Sequence, residues 1–397
     1  MTDARIGVLG YGLRSGLAPL AHCPDQGSRV VAVCDIDERG RREAAAALGH
    51  DVTLLTDLDD LLAQDLDAVL VLTPDHLHAE HAVRFLEAGV ATFLEKPMAT
   101  TIEDADRILE TAFRTGTRLY VGHNMRHMPV IAAMRDAIRA GRIGEVKAVW
   151  CRHFVSAGGD FYFKDWHADR RNTTGMLLQK GAHDIDVIHW LAGGHTTRVS
   201  AVGSLSVYGD ITDRRDNSDR RMWDWYSTDN WPPTAQTEMA PILDIEDISM
   251  ANMVLDNGVL ASYQQCHFTP DYWRNYTVIG TEGRIENFGD SEGAVIKLWN
   301  RRSDDYEAEG DEIVAIREAE GGHGGADPLL IQEFIRFALH GGMTETSPVA
   351  ARAAVAAGVA ATTSLRGGGG AIDVPPLRDE LVNYFANGQA KVPSPLS

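Results

Sequence analysis

The sequence predicts two kinds of structure in one chain: an α/β domain on a doubly wound parallel sheet, then an α+β domain. Three observations predict this. Short apolar runs alternate with helical stretches through residues 1–125. A Gly10-Tyr11-Gly12 turn follows the first run, and an acid, Asp35, follows the second. After Gly144 the rhythm changes to longer runs that alternate apolar and polar residues, the period of a half-buried strand.

Residues 4–9 (ARIGVL) read as a short buried strand. Gly10-Tyr11-Gly12-Leu13-Arg14-Ser15-Gly16 leads into a helical stretch ending near His22, and the next strand, 29–34, ends at Asp35. Strand, glycine turn, helix, strand and acid is the dinucleotide-binding order. Gly10 permits the tight turn, and Gly12 lets the backbone approach a pyrophosphate at a helix start. Asp35 is placed to accept hydrogen bonds from the adenosine ribose hydroxyls. Ser15 holds the place of a third glycine and is small enough to keep helix and strand close. Asp35 repels a ribose 2′-phosphate, so NAD is expected before NADP, while Arg39, Arg41 and Arg42 nearby keep NADP open.

The alternation continues with a strand at 66–73 bounded by Pro74, a helix at 76–89 and a strand at 90–94. A helix at 101–115 follows, capped by Thr100 or Thr101 with acids in its first turn, and then a strand at 119–122. The strand ends at Gly10, Asp35, Thr73, Glu95 and Gly122 are expected on one edge, where parallel sheets bind ligands. The cofactor contacts expected there are Gly10, Gly12, Leu13, Arg14, Asp35, Thr73, Pro74, His78, Glu95, Lys96 and Asn124. The strand at 90–94 runs into Glu95-Lys96-Pro97. Lys and Glu are costly to bury unpaired, so this is a poor core but a good way to aim a cation into a cleft. The plainer alternative is a salt-bridged strand end followed by a turn.

In the second part, 146–154 alternates as a strand, and 175–192 reads as an amphipathic helix. Its apolar face runs Leu177, Gly181, Ile185, Ile188 and Leu191; the opposite face carries Gln179, Lys180, His183, Asp186 and Val187. Gln179 and His183 fall one turn apart on that face. Just before the helix come Lys164, Trp166, His167, Arg170 and Arg171. Aromatics beside hydrogen-bonding groups suit a sugar face, and arginines suit an anionic substituent. His323 sits in the glycine-rich turn 321–327 before another helix, and Arg126 and His127 follow the last strand of the first domain. The expected substrate contacts are Arg126, Lys164, Trp166, His167, Arg170, Arg171, Gln179 and His323, against a plainer reading as loop and capping groups.

Residues 209–245 form an irregular insertion with Arg220, Arg221, Trp223, Trp225, Tyr226 and Trp231, which reads as a lid or a subunit contact. Residues 243–268 and 276–287 alternate as sheet strands, with Asp256-Asn257-Gly258 joining two of them. Helices are expected at 328–341 and 348–365. The domain limits are 1–125 for the dinucleotide-binding domain, 126–375 for a substrate-binding and oligomerisation domain, and 376–397 for a tail.

The formal net charge of −20 on 397 residues argues against nucleic acid or an anionic membrane as partner. Cys23, Cys34, Cys151 and Cys266 are widely spaced and read as reduced core thiols, with no metal site expected. The start has no basic and apolar leader, and no apolar run reaches about 18 residues. A cytoplasmic protein is the expectation.

Several motifs in order carry a resemblance: GYG near the start, CDID at 34–37, TPDHLH at 73–78, EKP at 95–97 and VGHNMRHMP at 121–129. GRIGEVKAV at 141–149, HDIDVIHWLAG at 183–193 and VIGTEGRIE at 278–286 extend it over most of the chain. The set resembles the Gfo/Idh/MocA oxidoreductases. The resemblance implies a Rossmann domain followed by a domain with a large open, mostly antiparallel sheet. It also implies NAD(P), a sugar or polyol-like small-molecule substrate, and a homodimer or homotetramer built on that sheet.

In such enzymes the EKP lysine, here Lys96, lies beside the nicotinamide and the reacting hydroxyl, and the bond to Pro97 is commonly cis. Family members often carry Asp four residues before a helix histidine. The histidine matches His183, but the aspartate place holds Gln179, which cannot act as a base. Lys180 is a second cation next door, and Asp184 and Asp186 could orient His183; a plainer reading makes Lys180 and Asp184 a surface pair. The expected reaction moves a hydride from a carbinol carbon to nicotinamide. His183 takes the hydroxyl proton, Lys96 stabilises the developing alkoxide, and Lys180 is a third reacting candidate. Three functions compete: an NAD-dependent dehydrogenase for a secondary hydroxyl of a sugar or glycoside; a redox-neutral NAD-dependent glycosidase, on an anionic glycoside such as a sulfosugar; and a non-catalytic NAD sensor.

Overall fold

The computed structural model describes residues 3–318 and 320–390; the last seven residues of the expected tail, 391–397, lie outside the described residues. The chain forms two compact units. The first gathers the residues up to His127, then Gly321–Arg352, then the residues from Leu377 on; the second gathers Met128–Glu320 and Ala353–Pro376.

In the first unit the strands are β1 (Ala4–Leu9), β2 (Ser28–Cys34), β3 (Thr53–Leu55), β4 (Ala68–Val71), β5 (Ala91–Leu94) and β6 (Leu119–Val121). They pair in parallel in the order β3-β2-β1-β4-β5-β6, the doubly wound arrangement that the alternation predicts. Every residue of β4, β5 and β6 is buried, as strands covered on both faces must be. Helix Ile102–Thr115 starts where Thr101 accepts from the Asp104 amide and ends at Gly116 in a left-handed turn. The core holds Ile6, Val8, Leu70, Phe93 and Tyr120, and it also takes Phe334 and Phe337 from helix Gly322–His340. Phe93 stacks on Tyr120 at 5.7 Å and meets Phe334 edge-on at 5.4 Å.

The second unit carries β7 (Val146–Phe154), β8 (Thr196–Ser204), β9 (Ile248–Leu255), β10 (Leu260–Cys266), β11 (Trp273–Gly280), β12 (Arg284–Phe288), β13 (Val295–Trp299), β14 (Glu312–Val314) and β15 (Ile372–Asp373). They form one sheet in the order β14-β13-β12-β11-β7-β10-β9-β8-β15. Only the β7–β10 pair is parallel, so the sheet is mostly antiparallel as expected. Alternation gives the sheet one face of Cys151, His153, Tyr263 and Tyr276, all fully buried, and another with exposed Trp150, Val202, Met250, Val254 and Leu260.

Two expectations are corrected here. The segment 175–192 is two helices, Met176–Gln179 and Gly181–Ala192, meeting at Lys180. Nor is it amphipathic: Gln179, His183, Asp184, Asp186 and His189 are buried along with its apolar residues. A helix can be buried on most sides when its polar groups find partners, and Asp184 finds five. Residues 209–245 are irregular as predicted, apart from short 3-10 turns, and they are pinned by buried Asp160. That carboxylate accepts from Asn230 (2.8 Å) and Gln236 (3.3 Å), and its backbone carbonyl accepts from the Trp225 indole (2.8 Å). Among the described residues, helix Pro348–Arg366 is long and apolar enough to cross a membrane, but 72% of its apolar window is buried within the protein.

Candidate active site

In the first unit the candidate residues lie on the carboxyl edge of the parallel sheet. Gly10 donates to the Cys34 carbonyl, Leu72 to that of Leu9, Glu95 to that of Val71 and Gly122 to that of Leu94, each at 2.8–3.1 Å. These bonds set the five expected strand ends on one edge. Gly10 has φ +87°, and a Cβ there would lie 3.0 Å from the Leu72 backbone, so glycine is required. A Cβ on Gly12 would meet nothing within 4 Å, so its backbone faces open space. The Asp35 carboxylate accepts from the amides of Tyr11 and Asp37, which turns it toward the glycine turn. These features fit a dinucleotide with free ribose hydroxyls. The nearby arginines are engaged: Arg39 with Glu43, Arg42 with Glu38, and Arg41 with the Asp35 carbonyl.

His78 ties two of the expected motifs together. Its ring nitrogens contact the Thr73 carbonyl at 2.8 Å and the Pro97 carbonyl at 2.6 Å. The Lys96–Pro97 peptide is cis. Buried Glu95 accepts from Arg14 Nε at 2.6 Å and from the Lys96 amide at 2.8 Å. Burial alone would raise its pKa, but Arg14 and Lys96 hold the carboxyl below the usual range. Arg14 also pairs with Asp327, which His323 and Asn124 contact in turn. His323 therefore joins the Arg14 cluster. Arg126 is buried and donates to the Glu345 carbonyl at 2.8 Å.

In the second unit, a separate cluster of candidate residues is built on helix Gly181–Ala192. His183 lies near its start and is 8% exposed. Asp184 is fully buried against the sheet. It accepts from the hydroxyls of Tyr263 (2.9 Å) and Tyr276, meets His153 Nδ1 at 2.9 Å and Cys151 Sγ at 3.8 Å, and pairs with Arg274 Nε at 3.1 Å. Arg274 reaches Asp290 as well, at 3.1 Å. Burial opposes the Asp184 charge, yet Arg274 and His153 hold its carboxyl far below the usual range. The surface pair of Lys180 and Asp184 is thereby replaced by a buried network.

Lys180 is half-buried at the junction of the two helices, 5.7 Å from the centre of the Tyr162 ring. Burial, then Arg274, pull its ammonium down to about 8 against Asp184 and Asp290. His153 is pushed to about 3 by burial and Arg274 despite Asp184, and burial with His153 and Lys180 holds His267 well below the ordinary histidine range.

Not every expected substrate contact is available. Lys164 is buried and paired with Asp160 at 3.2 Å, so it serves the anchor of the 209–245 segment. Arg170 pairs with Asp244 at 2.8 Å, and Arg171 grips Asp169 through three contacts. Trp166 stacks on His167 at 3.7 Å, and His167 is buried against Asp165 at 2.6 Å. Gln179 is buried as well. Sequence reasoning missed Arg274 and His153. The available signal was a charged residue at an inward position of an alternating strand.

Comparison with known proteins decides the lineage. The Gfo/Idh/MocA model described as an oxidoreductase family with an NAD-binding Rossmann fold matches residues 4–123, and the family's C-terminal alpha/beta domain matches 135–374. The chain belongs to the Gfo/Idh/MocA oxidoreductase family. Its first domain is an NAD-binding Rossmann domain, and the protein is an NAD-binding oxidoreductase of this family.

YteT of Bacillus subtilis is 28% identical over 67% of this chain and 71% of its own length. Inositol 2-dehydrogenase 1 of Saccharopolyspora erythraea is 34% identical over 49% of this chain and 56% of that protein. The 2,7-anhydro-N-acetylneuraminate hydratase of Mediterraneibacter gnavus is 31% identical over 52% and 57%. The chain thus spans little more than half of the latter two Gfo/Idh/MocA relatives. Levoglucosan dehydrogenase in complex with NADH and levoglucosan shares the fold, with TM-score 0.77 and 20% identity over 94% of this chain and 100% of that one. WlbA of Bordetella pertussis, with NADH and UDP-GlcNAcA, gives TM-score 0.74 and 22% identity over 94% and 99%.

Proposed function

We propose that this enzyme takes a hydride from the secondary hydroxyl carbon of a sugar or glycoside. The observation that carries the reading is the strand end Glu95-Lys96-Pro97 on the ligand edge of an NAD-binding sheet, locked to the neighbouring strand end by His78. Bound NAD supplies the hydride acceptor. Gly10, Gly12, Leu13 and Asp35 hold the adenosine and pyrophosphate half, while Thr73, Pro74 and Asn124 border the rest. Lys96 donates to the reacting oxygen and steadies its growing negative charge. His183 removes the hydroxyl proton. The inositol dehydrogenase among the relatives supports a polyol or sugar as substrate.

A second reading is a redox-neutral one: transient oxidation, elimination, hydration and re-reduction. It is favoured by Gln179 in the aspartate place and by Lys180, whose amine is accessible near pH 8. Once the carbinol is a ketone, the adjacent C–H is acidic and needs a second base, which Lys180 supplies. The hydratase among the relatives points the same way.

The deciding experiment incubates myo-inositol, levoglucosan and a panel of p-nitrophenyl glycosides with NAD. NADH formed in proportion to substrate supports the dehydrogenase. Nitrophenol released without NADH accumulation supports the redox-neutral enzyme. Neither product across the panel, with NAD bound, counts against both.

A further inference from the structure

Arg14 lies in the glycine turn, where a cation reads first as a phosphate contact. Its contacts say otherwise. Nε donates to Glu95 Oε1 at 2.6 Å, and Nη1 and Nη2 meet the two Asp327 oxygens at 3.1 Å each. Nη1 is also 3.2 Å from His323 Nδ1, which itself lies 2.8 Å from Asp327 Oδ2. The turn that delivers Asp327 is unusual: His323, Gly324 and Gly325 have φ of +52°, +64° and +88°. A left-handed histidine is a costly conformation, held here by its bond to Asp327.

Glu95 is the pivot. Its side chain is 4% exposed, and its two oxygens divide between Arg14 and the Lys96 amide. Next in sequence is the Lys96 ammonium, whose field already reaches the Glu95 carboxylate. A buried carboxylate with one cationic neighbour binds it tightly; with two, its charge is shared. We propose that Arg14 is a positioning residue for Lys96, acting through Glu95: it takes up part of the carboxylate's charge and so weakens the hold of Glu95 on the Lys96 ammonium. Asp327, with His323 and Asn124 around it, holds the guanidinium in place. This rests on the assignment of Lys96 to the reacting centre.

The chain has only six lysines, at 96, 147, 164, 180, 297 and 391. Reductive methylation with 13C-formaldehyde therefore gives a sparse NMR spectrum, in which Lys96→Arg assigns the Lys96 signal. The full-length protein is titrated without substrate. The groups facing this site are Arg14, Glu95, Asp327, His323 and His78. Arg14→Met is expected to raise the Lys96 pKa by about one unit, because Glu95 then turns wholly on it. Glu95→Gln is expected to lower it by about one unit, because the negative charge beside the ammonium is lost while Arg14 stays paired with Asp327. Affinity for NADH, read by fluorescence, is expected to stay within about threefold in Arg14→Met, against the far larger loss that follows removal of a charged phosphate contact.

Shifts of the same sign, or no shift in either variant, overturn the proposal. So does a large loss of NADH affinity in Arg14→Met with the Lys96 titration unmoved, which makes Arg14 a phosphate contact after all. If Arg14→Met does not fold, Glu95→Gln and Arg14→Lys carry the test, and Arg14→Lys is expected to keep the native Lys96 titration. No substrate is needed, so a wrong substrate class leaves this result standing. A wrong assignment of Lys96 shows separately, as full turnover in Lys96→Met.

Discussion

Lys96, His183 and Lys180 divide the proposed chemistry at the scale of single residues. Lys96→Met and His183→Ala are each expected to cut turnover by about 10²-fold or more while NAD binding, followed by fluorescence, persists. Full activity in either variant sinks the assignment. If Lys180 removes a carbon-bound proton, deuterium from solvent enters the substrate at the adjacent carbon. That exchange is expected to rise with pH and level off above about 8, where the amine dominates. Exchange that survives Lys180→Met at every pH excludes the role. How legible these residues are follows from their spacing. Lys96 and His183 sit in short local motifs, and Asp35 stands at a fixed distance from a glycine turn. The arginines are harder to read, because their pairing with Asp169 and Asp244 is not visible in composition.

At the scale of elements, helix Gly181–Ala192 is fastened to the sheet through the Asp184 carboxylate. Asp184→Asn removes the charge facing buried Arg274, although Asp290 remains. The expected cost is about 3 kcal/mol, the low end for a broken buried pair, seen as a lower urea midpoint. A midpoint unchanged by Asp184→Asn means that the network carries no stability. Acid has a related effect. His153 and His267 have pKa values depressed below the ordinary histidine range, so the unfolded chain binds their protons first. Their contribution is intact above about pH 6.5 and is lost as pH falls below it, down to about 3 for His153, whose share falls by about 1.4 kcal/mol per pH unit. A flat urea midpoint between pH 7 and 5 contradicts this. The sequence shows this helix but not its surroundings. Periodicity marks where a helix lies, whereas Cys151, His153, Tyr263, Arg274 and Tyr276 come from three strands that only the sheet order brings under it.

For the whole molecule, the exposed sheet face is the feature with the widest reach. Trp150, Met250, Val254 and Leu260 lie on adjacent strands, with Leu260 paired to Val254, Gln264 to Met250 and Ser262 to Trp150. We propose that a second copy covers this face. Trp150→Glu with Leu260→Asp is then expected to yield monomers by light scattering, and an unchanged mass rejects the idea. At a net charge of −20 copies repel one another, so added salt is expected to strengthen association. The parallel half of the fold is legible because buried strands are short, apolar and bounded by turns. The mixed sheet is less so: β8 and β13–β15 escaped notice, since outward apolar side chains blur the alternation and the strand order does not follow the chain.

One feature of the first unit bears on how the protein is made. Strands β1–β6 are complete once residue 121 has been synthesised, but Phe334 and Phe337, which fill their core, lie some 200 residues downstream. At ordinary translation rates that delay is on the order of ten seconds or more. During that interval the nascent nucleotide-binding sheet carries an unfinished apolar surface, which exposes it to aggregation. A gene fragment ending at residue 127 is expected to yield aggregates. Joining residues 321–352 to that fragment through a flexible linker is expected to recover soluble, NAD-binding protein.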